Sequence, residues 1–185
     1  MTDLCTLADV KAWLGPGMGA TDDALLARLI TAASSAMQSY MNRNIPQASY
    51  TDTRSGNGRQ ALTLWNTPIV SVATLTVDGN TIPAAPAPAI KNYGFTFDAD
   101  TLYLRGYLFG KGQMNVTIAY TAGYTVIPVD LAQACIELGV FRYRERERIG
   151  MASKAIAGET TAYTVTDFPR STVAIMNNYR RVFQA

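Results

Sequence analysis

Residues 22–43, DDALLARLITAASSAMQSYMNR, decide the fold because they carry the pattern of a long amphipathic helix. Thr21 is the predicted N-cap, and Asp22 and Asp23 fall in the first turn, where negative charge suits the helix dipole. Asn44-Ile45-Pro46 is expected to end the helix, since the residue before a proline disfavours the helical conformation. Apolar side chains at intervals of three and four residues predict one buried stripe, which consists of Leu26, Leu29, Ile30, Ala33, Met37, Tyr40 and Met41.

Three further helices are predicted around this one. A short helix begins near Thr6 and Asp9, whose spacing is that of a capping box with Asp in place of Glu, and it ends at Gly15-Pro16. A third helix begins near Pro128, because proline is favoured at the first helical turn. A last helix is predicted over residues 169–183.

Between the second and third helices, residues 48–124 change to a period of two with turn residues between the alternating runs. This pattern predicts antiparallel strands. Asp78-Gly79-Asn80 and Asp98-Ala99-Asp100 predict turns, and Gly56-Asn57-Gly58 predicts a hairpin turn. Residues 82–90 contain three prolines and are expected to form an extended loop. The predicted fold class is α+β, a helical bundle of about four helices with an inserted antiparallel β region.

Residues 149–166 are low in large apolar side chains and rich in Gly, Ala, Ser and Thr. A segment of this length without a core of its own is unusual in a compact domain. We expect a flexible loop that becomes ordered against a neighbouring subunit, with Ser153 and Lys154 as contact residues. An ordinary flexible surface loop is the alternative.

Several classes of enzyme are excluded by the composition. The chain has no histidine, which removes Ser-His-Asp and Cys-His arrangements and H-E-x-x-H zinc sites. It also lacks a P-loop and a G-x-G-x-x-G motif after a strand. A hydrolase built on carboxylates stays open, since five acidic residues could meet in space, although most lie beside turns where Asp bonds to the local backbone: Asp52, Asp78, Asp98, Asp100 and Glu137.

The overall charge and the cysteines indicate the environment. The formal net charge of +2 is small for a dedicated DNA-binding domain. No apolar run approaches the roughly 20 residues of a membrane span, and the N-terminal residues do not resemble a secretory signal. Cys5 and Cys135 are far apart in sequence and are interpreted as reduced thiols used as small apolar residues, so no metal site is expected. A cytosolic product without membrane contact is predicted.

The order of the N-terminal pieces resembles that of phage head-tail connector proteins. The short helix LADVKAWL at 7–14 is followed by DDALLARLI at 22–30, which continues through AASSA at 32–36 to YMNR at 40–43. This succession of a short helix and a long helix is similar to the N-terminal part of that family.

The downstream pieces resemble connector proteins that carry a β insertion. PIVSV at 68–72 with VDG at 77–79 is similar to their strand and turn, and YTAGY at 120–124 with IPVDL at 127–131 is similar to the join that follows. The C-terminal part is similar at RIGMASK, 148–154, at GET, 158–160, and at YRR, 179–181. The resemblance covers nearly the whole chain.

The resemblance implies a single connector domain over 1–185 that assembles as a ring, commonly of twelve copies, in the neck of a virion. The ring would dock under the portal protein and receive the stopper or tail protein below, with DNA only passing through its channel. It implies assembly in the host cytoplasm, no active site and no cofactor. Another neck or tail-completion protein is the nearest alternative, and a nucleic-acid-binding module that uses the arginine-rich helix is the alternative of a different class.

The candidate assembly contacts lie in the C-terminal third of the chain. Arginines alternate with glutamates at the end of the third helix, which fits either a self-neutralising solvated surface or contacts with a neighbour's carboxylates. Tyr and Arg near the C-terminus fit either core packing or an interface. Trp13 and Trp65 are interpreted as core anchors. The candidate contacts are Arg142, Arg144, Arg146, Arg148, Ser153, Lys154, Tyr179, Arg180 and Arg181.

Overall fold

The computed structural model describes residues 2–87, 92–146 and 167–181, together with the backbone of 153–156 and 159–162. The chain divides into two units. The helical unit consists of Met1–Arg43 and Ile127–Ala185, and the β unit consists of Asn44–Val126. The predicted α+β class is confirmed, because the described residues contain four helices and antiparallel sheets.

The helical unit places its helices against one another in a defined set of contacts. The described helices are α1 (Leu7–Leu14), α2 (Asp23–Met41), α3 (Val129–Glu145) and α4 (Arg170–Tyr179). Helix α2 contacts α1, α3 and α4, and α3 contacts α1 and α4. The predicted capping box is confirmed, since the Thr6 side chain accepts from the Asp9 amide and the Asp9 carboxylate accepts from the Thr6 amide.

The start of α2 differs from the prediction. Asp22, rather than Thr21, is the N-cap residue, and its side chain makes no capping hydrogen bond. The Asp22 carboxylate instead accepts a hydrogen bond from the Tyr143 hydroxyl on α3. A tertiary contact has therefore replaced the local cap. The helix ends at Met41, one residue before Asn42 takes the left-handed conformation at φ 53°.

The core of the helical unit follows the stripe predicted for α2. Leu26, Ile30, Ala33, Met37 and Met41 are buried, whereas Leu29 and Tyr40 are only half-buried at its edges. The other helices contribute buried side chains at helical spacing, which are Val10, Leu131, Ala134, Cys135, Leu138, Val140, Tyr143 and Met176.

The β unit contains two antiparallel sheets. The four-stranded sheet has the order β1-β7-β3-β4, formed by Ala48–Gly56 (β1), Gly112–Ala122 (β7), Ile69–Val77 (β3) and Asn80–Thr81 (β4). The three-stranded sheet has the order β2-β6-β5, formed by Ala61–Thr63 (β2), Thr101–Arg105 (β6) and Gly94–Phe97 (β5). Both sheets contribute side chains to one apolar core, which includes Leu62, Leu75, Phe95, Leu102, Val116 and Ile118.

Two of the three predicted turns join paired strands. Asp78 and Gly79 both have positive φ and connect β3 to β4, as expected for a tight hairpin turn. Residues 98–100 connect β5 to β6, where an Asp98 carboxylate oxygen accepts from the Asp100 and Thr101 amides. The prediction of a hairpin at Gly56-Asn57-Gly58 is wrong, because β1 pairs with β7 and β2 pairs with β6. This turn passes the chain from one sheet to the other.

Two short strands lie within the predicted loop 149–166. Ser153–Ile156 (β8) pairs antiparallel with Glu159–Ala162 (β9). The β-branched residues Ile156, Thr160 and Thr161 favour strands. The low content of large apolar residues in 149–166 favours a loop instead, so the sequence pattern does not predict these strands. The rest of the predicted loop lies outside the described residues.

Trp65 is exposed rather than buried, which corrects the prediction of a core anchor. Its exposed fraction is 51%, and the Arg54 guanidinium lies 4.5 Å from the centre of its ring.

None of the helices described is both long and apolar enough to span a bilayer.

A matched pair of substitutions in the four-stranded sheet tests the shared core. Val116 on β7 is fully buried, whereas Val70 on β3 is 44% exposed. Val116→Ala is expected to lower the free energy of unfolding by about 2 kcal/mol, because it removes two buried methyl groups and leaves a cavity. Val70→Ala is expected to cost less than about 0.5 kcal/mol. The measurement is urea denaturation, and equal losses of unfolding free energy in the two variants would contradict the described core.

Candidate assembly surface

A groove of about 420 Å³ opens on the helical unit. Val140 forms a buried part of its wall, and Phe141 is half-buried. Glu137, Arg144 and Glu145 supply charged side chains of both signs around it. The groove is lined by both apolar and charged side chains, a mixture that also occurs at protein interfaces. Its lining residues are Trp13, Glu137, Val140, Phe141, Arg144, Glu145 and Pro169.

Trp13 lies in this groove instead of in the core, which corrects the sequence interpretation. Its side chain is 52% exposed, and Val10 is the buried residue of α1. Trp13 follows Val10 by three residues and is its neighbour on the helix surface, so its exposure shows that the described elements cover this side of α1 only in part. An exposed tryptophan beside a groove is a common feature of interaction surfaces, since tryptophan is enriched at binding hot spots.

Glu137 connects the groove to α4. One of its carboxylate oxygens accepts from the Gln133 side-chain amide at 3.2 Å, and the other accepts from the Ser171 hydroxyl at 3.2 Å. These two hydrogen bonds hold the carboxylate in one orientation across α3 and α4. The sequence left Glu137 among five scattered acidic residues, and the structure gives it a positioning role at the groove.

The predicted arginine contacts on α3 differ in their surroundings. Arg144 is exposed and lines the groove, while Arg142 is half-buried. Arg146 donates to the Tyr143 carbonyl at 2.7 Å, and its guanidinium lies 3.9 Å from the centre of the Tyr143 ring. Arg148 lies outside the described residues. Of these arginines, the structure therefore places Arg144 in the groove.

The predicted contacts at the end of α4 have partners within the helical unit. The Tyr179 hydroxyl lies 2.9 Å from both carboxylate oxygens of Asp130, and the Arg180 guanidinium lies 5.2 Å from the centre of the Tyr40 ring. The Arg181 amide donates to the Met41 carbonyl at 2.9 Å. These contacts attach the end of α4 to α2 and α3. Ser153 and Lys154 lie on β8, and their side chains are outside the described part.

The five acidic residues named from the sequence have structural partners. Asp78 accepts from the Asn115 side chain at 2.8 Å, and Asp98 accepts from two backbone amides and from the Tyr103 hydroxyl at 3.0 Å. Asp100 accepts from the Thr101 hydroxyl at 2.8 Å. Hydrogen bonds from the Asp100 amide, the Thr101 amide and the Tyr103 hydroxyl hold the pKa of Asp98 below its usual range, so it stays ionised as an acceptor. Within the described ranges, no group of three or more Cys, Asp or Glu side chains could hold a metal ion.

Asp52 takes part in a partly buried network with Tyr120. The Tyr120 hydroxyl donates to the Asp52 carboxylate at 2.6 Å and lies 3.1 Å from the Asn66 side-chain nitrogen. Burial, followed by the hydrogen bond to Asp52, raises the pKa of Tyr120 to about 12. The network therefore fixes a neutral tyrosine in the core and stabilises the fold.

The two cysteines, which are distant in sequence, meet in the helical unit. Both are free and buried, and the Cys135 sulfur lies 3.4 Å from the Ser34 hydroxyl oxygen. The same hydroxyl oxygen accepts from the Leu4 amide at 3.0 Å. A hydrogen bond with Cys135, together with burial, raises the pKa of Cys5 and keeps it a thiol. Their predicted use as small buried residues agrees with this packing.

The comparison with protein families gives a match over nearly the whole chain. The family model described as head completion protein matches residues 3–182. No curated protein matches the sequence.

Solved structures share the fold at low sequence identity. A chain in the neck of an empty gene transfer agent particle, computed with C6 symmetry, is 21% identical, with a TM-score of 0.63, and the match covers 98% of this chain and 92% of that chain. A chain in the neck of the native particle, computed with C12 symmetry, is 18% identical, with a TM-score of 0.60 and coverages of 97% and 90%. A chain in the virion of the native particle is 20% identical, with a TM-score of 0.62 and coverages of 98% and 92%.

The Tyr120 network predicts a loss of stability at alkaline pH. The folded-state pKa of about 12 lies above the ordinary value of 10, so the stabilisation is complete below pH 10 and is lost as the pH rises towards 12. The free energy of unfolding is expected to fall over this range by about 2 kcal/mol more in the wild type than in Tyr120→Phe. Denaturant titrations at a series of pH values measure the difference, and parallel curves would contradict the network.

Proposed function

We propose that this chain, which belongs to the head completion protein family, acts as a head-tail connector in the neck of a phage-like particle. Membership of the family confirms the predicted class of function, a structural protein of the virion, and the predicted location in the particle. The observation that carries the proposal is the family match over 3–182, which includes both the helical unit and the β unit.

The proposed mechanism is geometric and involves no chemical reaction. Copies of the chain assemble head-to-tail into a closed ring, in which each interface joins two different surfaces of adjacent copies. The C12 symmetry computed for the neck of the native gene transfer agent particle supports a ring of twelve. Many weak contacts that close around one axis give a stable assembly from individually modest interfaces.

The whole chain, 1–185, is proposed to act as a single connector domain. Its helices form the bundle that carries the docking surfaces, residues 48–124 are the β insertion, and 149–166 meets a neighbouring subunit. The proposed partners are further copies of the chain, the portal protein above and the stopper or tail protein below. DNA passes through the central channel.

The groove is the proposed docking surface on the helical unit. It offers the half-exposed Trp13, the half-buried Phe141 and the exposed Arg144. Aromatic and arginine side chains dominate the energetics of protein interfaces, whereas scattered surface charges contribute little. The remaining candidate contacts, Arg142, Arg146, Arg148, Ser153, Lys154, Tyr179, Arg180 and Arg181, are proposed to surround this contact or to support the elements that carry it.

Deletion of the gene in the virus or element that encodes the chain tests the function. Particles that lack the chain are expected to accumulate as heads without attached tails, visible by electron microscopy. Normal numbers of joined heads and tails in the deletion strain would overturn the proposal.

Two tryptophans with nearly equal exposure test the docking surface. Trp13 lies in the groove at 52% exposure, and Trp65 lies on the β unit at 51%. Trp13→Ala is expected to change the free energy of unfolding by less than about 1 kcal/mol, because the side chain is exposed. If Trp13 is a binding hot spot, its removal costs about 2 kcal/mol of binding free energy and weakens assembly about 30-fold. The measurement is the number of copies retained in purified particles. Trp65→Ala is expected to be retained in particles like the wild type. Retention of Trp13→Ala at the same level would show that the groove is not a docking surface.

A further inference from the structure

We infer that the β unit carries a phosphate-binding surface for duplex DNA, formed by Arg59, Arg105 and Lys111. The inference rests on the proposed function, which brings a DNA duplex through the channel of the ring. It gives a role to the β insertion that family membership does not assign. The three residues lie on two neighbouring segments, 57–60 and 105–111, which we call the basic loops.

Backbone hydrogen bonds hold the basic loops side by side. The Gly58 amide donates to the Phe109 carbonyl at 2.7 Å, and the Phe109 amide donates to the Arg59 carbonyl at 2.9 Å. The Leu104 amide donates to the Gln60 carbonyl at 2.7 Å, just before the second loop begins. Phe109 is fully buried and anchors that loop in the core. The cations therefore project from a fixed backbone.

The basic loops carry positive charge without a carboxylate of their own. Residues 57–60 and 105–111 contain no Asp or Glu. Arg59, Arg105 and Lys111 are exposed, and among the described side chains none of the three forms an ion pair. Lys111 lies across Gly58, where a Cβ would come within 3.0 Å of its Cγ. This position places the Lys111 side chain against the residue that precedes Arg59 in the chain.

One carboxylate does lie beside the basic loops. Asp78 is close to Gly110, where its Oδ2 would lie 2.6 Å from an added Cβ. Its Oδ1 accepts from the Asn115 side-chain amide at 2.8 Å, and that amide also donates to the Gly110 carbonyl at 2.8 Å. Asp78 is thus used to fix the end of the second loop, and three exposed cations outnumber it.

Exposed aromatic hydroxyls extend the surface. Tyr93 is 71% exposed and lies over Gly106, and Tyr107 is 39% exposed. Tyrosine hydroxyls join arginine and lysine among the common donors to DNA phosphates. The combination of unpaired cations with hydroxyl donors is complementary to a phosphate backbone.

The end of α3 lacks these properties, although it has the denser arginine run. Its arginines alternate with glutamate, and the Arg146 guanidinium lies over the Tyr143 ring. Glu145 and Glu147 adjoin Arg144, Arg146 and Arg148 and repel phosphate, which directs α3 towards protein contacts. An acidic protein surface is the competing partner for the basic loops, and exposed Leu108 would suit it. DNA is favoured because the proposed function brings a duplex through the ring and because the exposed hydroxyls of Tyr93 and Tyr107 suit phosphate.

Nuclear magnetic resonance of the full chain locates the surface directly. A short DNA duplex is titrated into isotope-labelled protein at low salt. The amide signals of 58–60 and 105–111 are expected to shift, and those of 142–146 to stay in place. Three phosphate contacts predict a slope of about −2.7 for the logarithm of the binding constant against the logarithm of salt concentration. No shift, or shifts centred on 142–146, would overturn the inference.

Charge-removing variants separate DNA from a protein partner. Arg59→Ala/Arg105→Ala/Lys111→Ala is expected to lose the shifts while remaining in particles at the wild-type level. Arg28→Ala/Arg170→Ala, which removes two exposed cations from the helical unit, is expected to bind DNA like the wild type. Loss of the triple variant from particles would assign the basic loops to an acidic protein instead. Absence of the wild-type chain from particles would overturn the connector function. Failure of the purified chain to bind DNA would overturn only the phosphate-binding surface.

Discussion

Pairing of β1 with β7 is the constraint on which the rest of the structure depends. It places Ala48 opposite Ala122, and hydrogen bonds beyond it join Gln47 to Tyr124 at 3.0 Å and Tyr124 to Ile45 at 2.9 Å. The β unit therefore begins and ends at neighbouring points, although it is 83 residues long, from Asn44 to Val126. Because its two ends are held together, α2 and α3 on either side of it can pack against each other with Ser34 beside Cys135.

A glycine makes that closure possible. Gly123 has φ +109°, a conformation that side-chain-bearing residues rarely adopt, and a Cβ there would lie 2.6 Å from the Pro46 carbonyl oxygen. Its amide donates to the Pro68 carbonyl at 2.8 Å, which ties the junction to the start of β3. Both the close backbone approach and the dihedral angle require glycine at this point. A long insertion closed in this way costs little extra loop entropy, since that cost grows only slowly with length.

The two units offer different surfaces for interaction. In the helical unit, the partly buried contact of the Asp22 carboxylate with the Tyr143 hydroxyl fixes α3, and the groove beside Trp13 is left open. In the β unit, the shared core of two sheets holds rigid loops whose outer surfaces carry charge. Asp22, Asp52, Tyr120 and Tyr143 are held in structural hydrogen bonds, whereas Trp13, Tyr93, Tyr107 and the cations of the basic loops are exposed and available to partners.

Features that local chemistry controls can be predicted from the amino-acid sequence alone. The apolar stripe of α2, the capping box at Thr6 and Asp9, and the turns at 78–80 and 98–100 depend on neighbours within a few residues, so pattern and turn chemistry predict them. The α+β class and the family resemblance follow from the order of such elements along the chain.

Only the tertiary structure decided which strands pair and which side chains stay outside. Nothing within residues 56–58 specifies that β1 pairs with β7 rather than β2, because that choice depends on a partner more than fifty residues away. Trp13 is apolar and has helical spacing, yet its burial depends on whether another element covers it, and none of the described residues does so fully. The groove and the basic loops are formed by segments distant in sequence, and only packing brings such segments together.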